Sequence, residues 1–506
     1  MYFLPELAEL KETIKNAKTD AGVTPYLPIS VELPADALTP VTAFLRLRAT
    51  GAKKMFLLES ADGGEQVGRY SFLGIDPFAS LKSVRGTLRF EDFETSEVIE
   101  EKTTFDRIGD YLSRYKTPLN PSLPPFMGGA LGYFAYDCVR FLENIPLPDE
   151  GYGTNDLHFM FFKTILVFDR LRHRLHLVHL LAAKADGLDL RYQKACDTLQ
   201  HIKERLTHNS SAEEVLELSF PRLKTILPVE AESTLGKDRY CQAVKIIKEH
   251  IRAGDIFQCV LSDRFHFPVK EDSFLIYRIL RMINPSPYLY FLEFGDETLL
   301  GASPEMLIRT QDRSVETCPI AGTRPRGKSE EDDLKMEKDL YASVKERAEH
   351  LMLVDLGRND IGRVSKAGTV KVKSFMQVER YSHVMHLVSR VSGTLKKEET
   401  PWKALGSCFP AGTLSGAPKI KAMQIISRLE GSQRGPYGGA IICQDFGGDL
   451  NTCITIRSLY VRDGVGYAQA GAGIVADSQA EKEYEEVLNK ARAVRTAVAA
   501  AREVSR

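Results

Sequence analysis

Two pairs of glutamates, Glu346/Glu349 and Glu483/Glu486, stand three residues apart within strongly helical stretches of this sequence. That spacing places each pair on one helix face. Two such faces brought together make an oxygen-only cage suited to a hard divalent cation such as Mg2+. A lone Glu-x-x-Glu is more often a solvated helix face. Here Glu349 precedes the apolar run 351–354 and Glu486 precedes Val487 and Leu488, so each borders a buried stripe. Lys490 follows Glu486 by four residues and shares its face, which sets a cation beside the metal ligand, as a carboxylate substrate requires. Three glycine- and proline-rich segments, 319–324, 411–418 and 471–473, read as turns whose backbone N–H groups approach an anion. The chemistry expected is metal-assisted conversion of a small acidic metabolite.

Other motifs carry less. Residues 466–473 read as a strand and glycine turn before a helix, which mimics a dinucleotide fingerprint. Too little chain follows to complete a βαβ unit, so the helix N-terminus is expected to take a carboxylate instead. His383 and His386 on one strand point to opposite faces, which disfavours joint chelation. His386 shares a face with Val384 and Val388, as a hydrogen-bonded core histidine does; titration near neutrality equally suits acid–base work. Cys408 has Pro410 where a nucleophile elbow needs its second glycine, so it reads as structural.

At 506 residues the chain exceeds one ordinary core. Its 43% hydrophobic and 27% charged residues are typical of a soluble protein, and a net charge of -1 argues against nucleic-acid or membrane-surface partners. Eight cysteines without C-x-x-C spacing predict reduced thiols. The longest apolar stretch, 159–168, is interrupted by Lys163, and the N-terminus alternates charge; a cytoplasmic protein is expected.

The elements that must position the glutamates read as follows. A helix covers 5–18, a loop runs into a strand over 24–34, and short strands dominate 41–180, including 56–60 and 165–168, with a loop at 121–132. Residues 181–235 read as a helical polar connector between an N-terminal domain, 1–180, and a catalytic domain, 236–506. A helix over 237–252 stops at Gly254. Strands are predicted at 259–267, 288–294 and 298–300. One long helix covers 330–354, with Leu340, Val344, Ala348, Leu351 and Met352 as its apolar stripe. Residues 370–391 read as strand with an irregular break. The final helix, 478–503, buries Tyr484, Val487, Leu488, Ala491 and Val494. Without regular strand–helix alternation, the fold class is α+β: antiparallel, sandwich-like sheets flanked by helices.

Taken in order, segments 319–327, 348–360, 382–386, 409–419, 435–439 and 469–474 closely resemble the chorismate-utilising enzyme family, over nearly all of 235–495. The N-terminal part matches more loosely. The resemblance implies the family's fold, with Mg2+ held by Glu349 and Glu486 and supported by Glu346 and Glu483. It implies that chorismate meets Gly322, Thr323, Tyr437, Arg457, Gly471, Ala472, Gly473 and Lys490. Glu305 matches the general acid for the C4 hydroxyl, and His386 the histidine that assists proton transfer. Gln258 stands where water-adding members carry a lysine base; an amide cannot activate water, whereas ammonia is already a nucleophile. Amination of chorismate to anthranilate, with loss of pyruvate, is therefore expected. Members that form aminodeoxychorismate are the alternative, although these often have lysine where Ala321 stands. Glu59, Ser60, Pro287, Tyr288 and Leu289 match a tryptophan feedback site; alone, Glu59 reads as an exposed strand-end charge. A tryptophan sensor without turnover is a further alternative, against which the intact acidic and basic set argues. Lacking a cysteine elbow, the chain is expected to receive ammonia from a glutamine amidotransferase subunit, in a heterodimer or heterotetramer.

Overall fold

The computed structural model describes residues 2–16, 24–61, 68–118, 123–207, 225–327, 329–380 and 384–504. Its central strands Gly129–Phe134, Leu157–Phe162 and Thr164–Asp169 are buried at every position. A strand without an exposed face needs cover on both sides, and two stacked sheets with helices outside supply it. Among the described residues one sheet has 13 strands and the other 12. Their pairing is antiparallel apart from the short parallel contact of Thr24–Pro34 with Tyr115–Lys116.

Both sheets draw strands from both parts of the chain. In the first, Met55–Glu59 lies beside Tyr288–Glu293, with Leu289 opposite Glu59. In the second, Gly129–Phe134 lies beside Ala440–Asp445, with Leu131 opposite Cys443. Phe56, Tyr133, Phe162, Tyr290, Ile441 and Tyr460 pack between the sheets. Helices Pro40–Ala49, Leu188–Thr207 and Ser273–Ile283, with the later part of Ala480–Val504, cover the first sheet. Phe105–Leu112, Val344–Gly362 and Pro401–Cys408 cover the second. The α+β, sandwich-like architecture is the one the sequence predicts.

Several elements differ from the sequence reading. Region 41–180 contains, besides strands, the helices Pro40–Ala49 and Phe105–Leu112, each started by a capping threonine, Thr39 or Thr104. Thr24–Pro34 is strand from its first residue, and the loop expected over 121–132 gives way to strand at Gly129. The helix expected over 330–354 is two, Glu330–Ala342 and Val344–Gly362. Ser343 divides them: its backbone is extended and its Oγ accepts from Glu346 N at 3.3 Å, an N-cap. The break re-phases the second helix. Val344 and Leu351, expected in the stripe, are exposed, while His350, Leu353, Val354 and Ile361 are buried. The strand expected over 370–391 is a hairpin of Lys371–Arg380 and Val384–Thr394, with Glu379 opposite His386. His383 lies outside the described residues.

A buried polar cluster pins the sheets together. Glu297, on a strand of the first sheet, accepts hydrogen bonds from Tyr460 Oη (2.6 Å), Tyr133 Oη (3.0 Å) and Asn155 Nδ2 (2.9 Å). It also pairs with His158 Nδ1, from the second sheet. Burial pushes the Glu297 carboxyl up, but His158 and the other donors outweigh it and bring it down to about 2. A carboxylate depressed on folding contributes stability above its unfolded range, near about 4. That contribution is lost as pH falls towards about 2. Glu297→Ala orphans these donors and is expected to cost about 3–5 kcal/mol. Urea unfolding at neutral pH measures it, and the gap from the unmodified chain should narrow in acid.

Candidate active site

The candidate residues come from strands near one end of each sheet. In the first sheet Gln258–Pro268 pairs with Val465–Ile474, with Val260 opposite Gly473 and Ser262 opposite Gly471. In the second, Ile320–Pro325 pairs with Val384–Thr394, with Thr323 opposite His386. Two of the three expected turns are therefore mostly strand, because their backbones are taken up by sheet pairing. Their glycines make room instead. A Cβ at Gly471 would lie 2.8 Å from Tyr437 Oη, and one at Gly473 2.7 Å from Gln258 Nε2. Gly322, at φ +70°, forms a bulge, and a Cβ there would meet Glu346 Oε2 at 3.2 Å. Ala472, between the two glycines, is buried against helices on the outer face. The final helix begins only at Ala480, so the anion site expected at a helix N-terminus beside Gly471–Gly473 is not formed; Ser478 Oγ accepts from Val475 N at 3.0 Å in that connection.

Glu305 follows the strand Glu297–Ser303 and is half-buried, lining a cavity with Thr413, Leu356 and Asp360. Burial raises its carboxyl to about 7, against the opposing pull of the Thr413 hydroxyl, Lys490 and Arg457. Thr413 Oγ1 donates to Glu305 Oε1 at 2.9 Å. The Arg457 guanidinium is pushed down by burial and held up by the Glu305 charge. Among the described residues no ion pair neutralises it. Lys490 Nζ donates to Gly471 O (3.0 Å) and to Glu486 Oε1 (2.7 Å). His386 Nδ1 lies 3.0 Å from both Gly322 O and Thr323 Oγ1. Since a carbonyl only accepts, Nδ1 carries the proton, and the basic lone pair is on Nε2. Burial, chiefly, lowers the imidazole and keeps it neutral.

The two acidic helix faces do meet electrostatically. Burial first, then the charges of Glu346 and Glu486, raise the Glu349 carboxyl; burial and Glu486 raise Glu483. Arg324 Nη1 lies 3.4 Å from Glu346 Oε1, and Glu486 is half exposed. Among the described residues no three acidic, histidine or cysteine side chains are gathered closely enough to hold a metal ion between them. The four-carboxylate cage expected from the sequence is therefore not formed, which leaves at most one or two of these carboxylates to a single ion. That suits Mg2+, which is typically held by one or two carboxylates together with water and substrate oxygens.

The two segments matched to a tryptophan site are adjacent, Ala61 N donating to Ser286 O at 3.0 Å. Glu59 is not the exposed strand-end charge it resembles in isolation: it is buried, accepts from Tyr277 Oη (2.8 Å) and pairs with Arg281 (3.3 Å). Ser60 Oγ is buried without a hydrogen-bond partner among the described residues. Strand alternation splits the matched set. Leu289 packs under the helices of the first sheet, whereas Tyr288 packs with Met306, Cys318, Ile320 and Val388. Pro287 is half-buried beside them.

Sequence reasoning missed Thr413, the donor to Glu305, and the buried Glu430–Arg434 pair. Thr413 lies in a segment read only for its glycines, and Glu430/Arg434 has the four-residue spacing of an ordinary surface ion pair. The eight cysteines are all reduced, and burial pushes Cys408 up to about 12, which keeps it an unreactive thiol. No helix among the described residues is long and apolar enough to cross a membrane.

An α+β sandwich with a buried acid, neighbouring cations and converging glutamates defines a class, and comparison with known proteins agrees. The family described as chorismate binding enzyme matches residues 53–496, and the chain belongs to that family. Within it, the chain is 45% identical over 505 residues to anthranilate synthase component 1 of Acetivibrio thermocellus, covering 99% of this chain and 100% of that one. It is 45% identical to the component 1 of Thermus thermophilus, covering 92% and 96%. The crystal structure of anthranilate synthase component I from Streptococcus pneumoniae superposes with a TM-score of 0.75 at 36% identity, covering 92% of this chain and 99% of that one.

Proposed function

We propose that this chain is the chorismate-aminating component of an anthranilate synthase. Ammonia adds at C2 of chorismate, the C4 hydroxyl leaves as water, and pyruvate is released to give anthranilate. The observation that carries the reading is Glu305, a half-buried carboxyl that accepts from Thr413 Oγ1 at 2.9 Å and that burial raises to about 7 against the pull of Lys490 and Arg457. Such a carboxyl keeps its proton in useful fraction near neutrality and can give it to the departing hydroxyl. The two cations suit the two carboxylates of chorismate. Gly322, Thr323, Tyr437, Gly471 and Gly473 shape the walls around the ring, while Ala472, whose side chain faces the outer helices, offers only its backbone. Gln258 is neutral and cannot serve as a base for water, which leaves ammonia as nucleophile. His386, neutral and with Nδ1 committed to Gly322 O, offers Nε2 for proton transfer as the ring becomes aromatic.

Glu349 and Glu486 would hold Mg2+, backed by Glu346 and Glu483, and the ion would supply charge neutralisation for a substrate carboxylate. With no reactive thiol at Cys408, glutamine hydrolysis falls to a separate glutamine amidotransferase, component 2, in a cytoplasmic heterodimer or heterotetramer. We assign the chemistry to 236–506 and the regulatory contribution to 1–180, joined through 181–235.

Purified chain given chorismate, ammonium and Mg2+ is expected to form fluorescent anthranilate and equimolar pyruvate. An aminated product that retains its enolpyruvyl group would establish aminodeoxychorismate synthesis instead. Glutamine-driven product from the isolated chain would contradict the partner assignment. For regulation, L-tryptophan is proposed to bind at Glu59, Ser60, Pro287, Tyr288 and Leu289 and to favour a less active conformation. Ser60→Ala should weaken inhibition about tenfold, the loss of one hydrogen bond to a charged ligand group worth about 1.5 kcal/mol. Uninhibited turnover should be unchanged, and an unaltered tryptophan titration would remove Ser60 from the site.

A further inference from the structure

Arg434 is among the largest side chains buried in this fold, 1% exposed, and lies outside the residues matched to substrate. Its Nε and Nη2 donate to Glu430 (2.8 and 2.6 Å), Nη1 to Leu414 O (2.7 Å), and Nη2 also to Val260 O (2.8 Å). The guanidinium lies 4.4 Å from the ring centre of Tyr136 and 5.6 Å from that of Tyr437. Glu430 also accepts from Ser262 N (2.8 Å) and Oγ (2.7 Å). Asp137 accepts from the backbone N–H groups of Arg434 (3.3 Å) and Gly435 (2.7 Å). A desolvated ion pair adds little net stability over a well-packed apolar pair. Its value here lies in what it holds still.

Each segment it grips borders the site. Leu414 follows Thr413, which donates to Glu305. Val260 lies two residues beyond Gln258 and opposite Gly473, and Ser262 lies opposite Gly471. We propose that Arg434 is a positioning residue for the reaction: by fixing the Leu414 carbonyl it holds Thr413 on the Glu305 carboxyl, without touching substrate. This inference rests on the general-acid role given to Glu305 above. A hydrogen bond from Thr413 favours the charged carboxylate and so opposes the burial that raises Glu305. Loosening it moves the titration of the acid to higher pH.

The test is a double-mutant cycle of Thr413→Val and Arg434→Lys. It is read as the pH dependence of kcat/KM for chorismate at constant un-ionised ammonia, with thermal unfolding alongside. Lysine keeps the charge but lacks the planar fork needed to reach Glu430, Leu414 and Val260 together. Thr413→Val is expected to move the alkaline limb to higher pH. Arg434→Lys should move it in the same direction and lower kcat about 10- to 100-fold through misplacement, with KM within about threefold. The double variant should show the limb of Thr413→Val alone, because the two act through one contact. Additive shifts, or an unmoved limb in either single variant, overturn the inference. Retained turnover in Glu305→Gln would overturn the acid role itself, so the two failures are distinguishable. If Arg434→Lys does not fold, Glu430→Gln replaces it, with the same expectations, since it removes the charge that orients the guanidinium.

Discussion

Glu305→Gln is expected to lower kcat by about 100- to 10,000-fold, the range for losing a positioned general acid, while chorismate still binds. Glutamine has the same shape and can accept from Thr413, but it has no proton to give to a leaving hydroxyl. Arg457 and Lys490 are untouched, so KM should change little. The pH profile separates this from general damage. In the unmodified chain kcat/KM should fall as pH rises through about 7, where the acid ionises. In the variant that limb should vanish. Stability moves the other way. A carboxyl raised on folding is at its most favourable below the unfolded range, near about 4, and becomes a burden as pH rises through its folded value. The difference is on the order of 3 kcal/mol for a shift of this size. Glu305→Gln should therefore be no less stable than the unmodified chain, and relatively more stable above neutrality. Near-normal turnover would remove Glu305 from the chemistry.

What the sequence conveyed follows the range of the interactions involved. Glu346/Glu349 and Glu483/Glu486 were legible as helical faces because helix geometry is local, and Val487, Ala491 and Val494 are buried where their spacing puts them. The Ser343 cap lay within reach of the same reasoning, since Ser343 and Glu346 have capping-box spacing. It was masked by apolar residues on both sides that sustain a helical period through the break. The antiparallel pairing within 371–394, the strand containing Gly322 and the continuation of the last strand through Gly471 were not legible. Glycine reads locally as a turn, whereas here it admits Glu346, Tyr437 or Gln258 against a paired strand. The sharing of both sheets between 1–180 and 236–506 depends on pairs such as Leu289 with Glu59, and nothing within either strand encodes its partner. The resemblance named Glu305, but only its partial burial in the fold shows how a carboxylic acid stays protonated near neutrality, and only tertiary contact reveals Thr413 as its partner.

Glu349→Gln and Glu486→Gln carry the second large effect, an expected loss of about 100- to 1,000-fold in Mg2+-dependent turnover, comparable to removing one preorganised electrostatic contact. Activity alone would not tell a metal ligand from a structural residue, so the decisive readout is stability with and without the ion. Burial, then Glu346 and Glu486, push the Glu349 carboxyl up, which means that its charged form is unfavourable without a cation. Glu349→Gln should consequently match or exceed the unmodified chain in metal-free thermal unfolding, increasingly so as pH rises. Mg2+ reverses the order. An ion that binds only the folded state adds about 2.7 kcal/mol at a hundredfold excess over its Kd, and that gain should appear in the unmodified chain and be lost in both variants. Because Glu486 is half exposed and paired with Lys490, its replacement should leave the metal-free fold nearly unchanged. Equal Mg2+ stabilisation of all three proteins would place the ion elsewhere, and the convergence of Glu349 and Glu486 would then serve only to orient Lys490 towards Gly471 and Glu305.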